Sequence, residues 1–488
     1  MSPRGPSASM LTPYAYHDRN METIGGKRDE WVAGRSAARE RQFKAFLVAR
    51  LRFVLLLCSI PLFLLLSRSV RAQTTLTIAT VNNADMVTMQ ALSKQFEREH
   101  PDIHLSWVTL EENILREKTT TDVATHGGQF DVVTIGALET PIWGQRGWLL
   151  ALNDRLAPGY AVDDLLKPIR DAASFAGKLY ALPFYAESSL TYYRKDLFQQ
   201  AGLTMPAQPT YGDIARFAKT LNNPAKDIYG ICLRGKPGWG ENMGYITTVA
   251  NTFGGRWFDE NWQPQFLSPE WHNAISLYVD LLRRYGPPGV TSNGFNESLT
   301  LFENGRCGMW IDATVAASVL LDSEQSKVAD TVGFAPAPIE ATKHGAQWLW
   351  FWGLAVPSSS RHPDAAVAFV QWATSRDYIR LVAQTHGWTA APPGTRQSTY
   401  QQPEYLAAAP FAELTYESIM SADSLHPTQK PVPYTGIQLV VASAYPTIGN
   451  QVGQIMAAAL VGDISVDQAL QQAQAATQRV ERRTGMTR

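Results

Sequence analysis

Phe130 to Ile135 reads FDVVTI, a nearly continuous apolar run rich in β-branched residues. A strand solvated on one face alternates polar and apolar residues, whereas a strand covered on both faces does not. The run therefore predicts a strand buried in a parallel sheet. Toward the N-terminus, Asn113 to Thr125 reads as a helix, and Ile103 to Val108 (IHLSWV) as a strand. Met86 to His100 has helical periodicity, with Met89, Leu92 and Phe96 on one face and Pro101 closing it. Thr75 to Val81 (TLTIATV) alternates and reads as a first strand. Strands alternating with helices in this way predict an α/β fold.

Further along, Leu179 to Phe184 and Leu190 to Tyr193 read as short strands around Ala186-Glu187-Ser188. Pro206 to Leu221 passes from loop to helix. Tyr229 to Leu233 reads as a strand before the Gly-rich stretch Arg234 to Asn242 (RGKPGWGEN). Helices are predicted over Ser268–Tyr285, with Pro269 in its first turn, and over Phe295–Asn304, ended by Gly305. Cys307 to Ile311 and Trp352 to Pro357 read as strands; Ala365–Thr374, Ile448–Leu460 and Val466–Arg482 read as helices.

The 488 residues suit two lobes rather than one small core. The net charge of −1 offers no basic field for nucleic acid. It hides two unlike parts: residues 1–72 hold 12 Lys and Arg against 5 Asp and Glu, and the rest holds 31 against 39, a net of −8. Phe53 to Leu66 (FVLLLCSIPLFLLL) is a 14-residue apolar run preceded by Arg50 and Arg52 and followed by Val70-Arg71-Ala72. This order is that of a secretory signal with cleavage after Ala72. An uncleaved anchor is the competing reading, but the run is shorter than the about 20 residues a spanning helix needs. Cys58 lies inside the run, which argues against a lipoprotein signal. Residues 1–52 form a polar, basic leader, and translation starting near Val48 or Leu51 would remove its oddity. The mature body is thus expected outside the inner membrane, with residues 53–72 as its signal.

Tests for chemistry are mostly negative. Gly230 to Pro237 (GICLRGKP) nearly fits a phosphate loop, but Pro237 replaces the hydroxyl that would hold magnesium. No GxSxG, HExxH, CxxC or zinc spacing occurs, so no metal or cofactor is expected. Cys232 and Cys307, the two cysteines of the body, either bridge or are simply buried. Glu139, Glu187 and Asp312 each follow a strand beside small or aromatic residues. Paired carboxylates serve glycoside hydrolysis, yet a carboxylate beside Trp equally suits a sugar-binding cleft without chemistry.

Thirteen of the 14 Trp lie in the body, and Trp348, Trp350 and Trp352 alternate in WLWFW. An aromatic face covers sugar C–H groups while neighbouring polar groups take the hydroxyls. Trp143, Trp239, Trp310 and Trp388 stand beside loop-forming residues and are the better binding candidates. Trp148, Trp271 and Trp372 read as core.

Longer segments resemble one family. These are Phe130 to Asp154, Lys178 to Phe198 (KLYALPFYAESSLTYYRKDLF), Phe302 to Ala317 (FENGRCGMWIDATVAA), Trp350 to Trp372 and Val461 to Gln474 (VGDISVDQALQQAQ). In that order they resemble the extracellular solute-binding proteins, family 1, the sugar receptors of ABC importers. YGICLRGKPGWGEN and GMWIDATVAA look most like the polyol (mannitol/sorbitol) binding members. The resemblance implies a two-lobed α/β fold with a ligand cleft between the lobes, several hinge crossings and no catalysis. It places residues 73–185 and 353–405 in lobe 1, and residues 186–352 and 406–488 in lobe 2. Implied ligand residues are Asn82, Asn83, Glu139, Thr140 and Trp143 in lobe 1. Lobe 2 adds Glu187, Arg234, Lys236, Trp239, Asn242, Trp310 and Asp312; Trp350, Trp352, Trp388 and Tyr434 complete the set. Helix capping is the rival role for Asn82 and a solvated loop that for Arg234 and Lys236. The implied partners are a small polyol or sugar and membrane permease subunits, with a monomeric receptor and no nucleic acid. A secreted glycoside hydrolase using Glu139 or Glu187, and a receptor for an oligosaccharide or glycerol phosphate, are the alternatives.

Overall fold

The computed structural model describes residues 73–485. The basic leader, the start near Val48 or Leu51, the apolar signal run and the cleavage after Ala72 lie outside the described residues.

A five-stranded sheet forms the first lobe, in the order β2-β1-β3-β10-β6. β1 (Thr74–Val81) pairs in parallel with β2 (Ile103–Leu110) and β3 (Val132–Ile135). All four residues of β3 are buried, as the FDVVTI run requires. A small hairpin, β4 (Ser174–Phe175) and β5 (Lys178–Leu179), leads into β6 (Leu182–Glu187). β10 (Trp350–Ala355) is antiparallel to both β3 and β6. The second lobe holds β7 (Ser189–Arg194), β8 (Met309–Ala313) and β9 (Val332–Pro336), antiparallel in the order β8-β7-β9.

The chain passes from the first sheet to the second at Ser188, between β6 and β7, and returns between β9 and β10. It passes again around residues 388–405. There Arg396 bonds Tyr160 O and pairs with Asp164 of the first lobe, while Ala391 and Tyr405 pack under the second sheet. β6 and β10 lie wholly in the first sheet, so the boundaries expected at 185/186 and 352/353 each fall inside a strand.

Other departures have local causes. The helix expected over Met86–His100 is two, Ala84–Leu92 and Lys94–Glu99. Ser93 Oγ donates to Gln90 O at 2.8 Å, and such back-bonding competes with the helix ladder. Residues 229–233 form only isolated bridges, Tyr229 to Cys307 and Cys232 to Trp310. The helix Asn242–Thr252 was not predicted. Every one of its residues is buried, so it carries no polar stripe to betray its period. Its polar groups are met inside: Thr248 donates to Tyr245 O, and Asn251 to Ile437 O. Cys232 and Cys307 form a disulfide, with Cα atoms 5.8 Å apart.

Candidate functional site

The cleft between the sheets holds a cavity of about 210 Å³. Its first wall comes from strand ends. β1 delivers Asn82 and Asn83. Asn83 caps the following helix, accepting from Met86 N at 2.9 Å, and donates to the Tyr185 hydroxyl at 3.0 Å. β2 delivers Glu111, which caps the helix Glu112–Thr125. One turn on, Arg116 donates to Glu112 (2.8 Å) and Glu139 (2.5 Å).

The guanidinium of Arg116 lies 4.0 Å from the Trp239 ring centre, 4.8 Å from Trp352 and 4.9 Å from Trp350. Ring faces attract the cation, and the two carboxylates fix its fork. Burial opposes the charge of Arg116, but Glu139 and Glu112 outweigh it and raise its pKa.

The paired strands β6 and β10 form the cleft's back wall. Glu187 stands opposite Trp350 and Tyr185 opposite Trp352, so all four share one face. The alternation in WLWFW sends Trp348, Trp350 and Trp352 to the cavity and Phe351 to the core.

The opposite wall is the stretch from Arg234 to Glu241. Arg234 grips Asp312 through Nη2 to Oδ1 at 2.6 Å and through Nε to Oδ2 at 2.9 Å and Oδ1 at 3.2 Å. Lys236 Nζ reaches Glu111 of the first wall at 2.6 Å, and Asn296 donates to Asn82 O at 3.3 Å. Both contacts bridge the cleft. The amides of Gly235 and Lys236 are taken by Asn293 O, which leaves no phosphate cradle in that loop.

Glu187 is 6% exposed and lines the cavity, and its carboxyl makes no hydrogen bond among the described residues. Burial lifts its pKa to about 8; Arg234 works against the rise, while Asp312, Glu112 and Asp85 add to it. Burial likewise lifts Glu241 to about 7, and its Oε2 has no hydrogen-bond partner. At neutral pH Glu187 is a protonated acid able to donate and accept. Acids, amides and cations around an aromatic wall suit an uncharged, hydroxylated ligand.

A model of the bacterial extracellular solute-binding protein family matches residues 80–379. The chain belongs to that family. This solute-binding protein is 59% identical over 411 residues to a mannitol-binding protein of Pseudomonas aeruginosa, covering 84% of this chain and 94% of that one. It superposes on an Agrobacterium vitis solute-binding protein with bound D-mannitol at a TM-score of 0.83. Identity there is 54%, over 84% of this chain and 99% of that one. A ribitol complex from Agrobacterium radiobacter, at 24% identity and a TM-score of 0.74, shares the fold; it covers 83% of this chain and 98% of that one. The family is one of binding proteins.

Of the expected residues, the solute-binding protein brings Asn82, Asn83, Glu187, Arg234, Lys236, Trp239, Trp350 and Trp352 to the cavity. The other eight stand elsewhere. Glu139 sits behind Arg116 and also accepts from Gly136 N, and Thr140 donates to Gly136 O. Trp143 packs on Trp148 in the first-lobe core. Asn242 pins its loop, accepting from Gly238 N and donating to Gly453 O. Trp310 is fully buried, stacked on Tyr192 at 5.2 Å, and donates to Asp312. Asp312 stands behind Arg234. Trp388 packs against the smaller apolar cluster, and the Tyr434 hydroxyl accepts from Trp257 N. Sequence reasoning missed Glu112, Arg116, Tyr185, Glu241 and Trp348. The period of WLWFW held the signal for Trp348, and the four-residue spacing of Glu112 and Arg116 held a weaker one.

Proposed function

We propose that this protein is the periplasmic receptor of an ABC importer for a linear sugar alcohol, with D-mannitol the first ligand to test. The supporting observation is Glu187, a buried carboxyl with no partner, set beside Trp350 in a cavity between two lobes. The 59% identity to a mannitol-binding protein supports the same ligand class. In this reading hydroxyls bond to Glu187, Arg234 and Asn82, while Trp239, Trp350 and Trp352 cover the carbon chain.

Closure follows from differential contact. A ligand gripped by both walls favours the closed state, because the open state keeps only part of its contacts. The closed form, a monomer without nucleic acid or cofactor, then docks on the permease. Its lobes comprise residues 73–187 with 350–405, and 188–349 with 406–485. The secretory signal ending at Ala72 delivers it. Glu139, whose two oxygens serve Arg116 and Gly136 N, is poorly placed for hydrolysis, which favours a receptor over a glycosidase.

Calorimetry against mannitol, sorbitol, monosaccharides and disaccharides tests this reading. Stoichiometric polyol binding with the ligand recovered unchanged is expected. Binding of disaccharides alone, or turnover of a glycoside, would refute it.

A further inference from the structure

Acids outnumber cations around the cleft, and Glu187 is the lining acid whose carboxyl has no partner. Arg116 is matched by Glu112 and Glu139, Arg234 by Asp312, and Lys236 by Glu111. Glu241 already faces two cations, Arg234 at 3.7 Å and Lys236 at 3.5 Å. Glu297 also lines the cavity without an ion pair, but it accepts from Gly294 N; of the lining acids only the Glu187 carboxyl has neither an ion pair nor a hydrogen bond among the described residues, although the residue is 94% buried. The charged groups acting on it are Arg234, whose charge Asp312 offsets, and the acids Asp312, Glu112 and Asp85. Asp312 offsets Arg234, Glu112 is held by Arg116, and burial lifts Asp85 to about 7, so the Glu187 carboxyl itself is the group left for a ligand cation to pair with.

We propose that the cleft accepts, besides a neutral polyol, its amino-substituted analogue, a linear polyol whose protonated amine pairs with Glu187. This rests on the polyol reading above. A neutral ligand meets Glu187 as the protonated acid. An ammonium meets it as the carboxylate: Glu187 gives its proton to solvent, and the ligand N–H donates to the oxygen left behind. One proton leaves for each ligand bound, and the cavity's net charge stays as it was. The rings of Trp348 and Trp350 line the same space, and ring faces also favour a cation.

The test is calorimetry at pH 7 with D-mannitol and 1-amino-1-deoxy-D-mannitol, each in two buffers of different ionisation heat. The amino polyol should bind within about 30-fold of mannitol. Its heat should report release of about one proton, while that of mannitol should not depend on the buffer. Glu187→Gln should weaken the amino polyol at least about tenfold more than it weakens mannitol. Proton release is read on the unmodified protein, so a misfolded variant does not decide the matter. Mannitol binding with the amino polyol weaker than the stated range, or bound without proton release, overturns the inference and leaves the polyol reading standing. Binding of neither ligand overturns both.

Discussion

Arg234 and Asp312 face each other through a two-pronged hydrogen bond at 2.6 and 2.9 Å, and only Arg234 of the two lines the cavity. Asp312 is spent on Arg234, on Ala313 N and on Trp310 Nε1. On the receptor reading proposed above, its part is to aim the guanidinium.

Asp312→Ala should therefore cost stability as well as affinity. Breaking a buried ion pair leaves one charge uncompensated, at about 3–5 kcal/mol. Urea unfolding should register that loss, and calorimetry a polyol affinity at least about tenfold lower. Unchanged unfolding would show that the pair does not hold Arg234. Trp310→Ala should act in the same direction through lost packing, since the ring is fully buried.

The bridge from Lys236 to Glu111 makes a smaller prediction. The two side chains are 26% and 43% exposed, and such pairs contribute about 0.2–1 kcal/mol. Lys236→Ala should speed ligand release by up to about fivefold, and the effect should fade as salt rises. Stopped-flow release measured at two ionic strengths would check it.

Stability should fall as pH rises from about 5 to about 8. Glu187 titrates near 8 when folded, against an ordinary value of 4.5, and Glu241 near 7. Between those values the folded chain holds protons that the unfolded chain has released, so raising the pH favours unfolding. Glu187→Gln should flatten the upper part of this slope in thermal melts taken across the range.

Reducing the Cys232–Cys307 disulfide opens a loop of 75 residues in sequence separation. The chain-entropy account puts its stabilisation at about 4 kcal/mol. Cys307→Ser should lower the urea midpoint accordingly. It should also weaken polyol binding, because Cys232 lies two residues from Arg234 on the loop it anchors to β8.

Much of this protein was legible in short windows of sequence. FDVVTI announced β3 because a strand covered on both faces cannot alternate. WLWFW announced a wall of rings because side chains on a strand alternate faces. Glu187 and Trp239 stood out because one follows a strand and the other sits in a Gly-rich loop, whereas Asn82 and Arg234 came only with the family resemblance. Arg116 stayed hidden for the opposite reason: it reads as one charged residue in an ordinary helix. It reaches the cavity only when Trp239, more than a hundred residues away, closes on it.

What the sequence determined by itself is the alternation of strands and helices, the aromatic wall and the excess of acids, since these depend on neighbours a few residues apart. Only the tertiary structure decided which charges were matched. Glu139 and Asp312 were drawn behind arginines while Glu187 was left alone, because a buried charge's partners are set by approach across the fold.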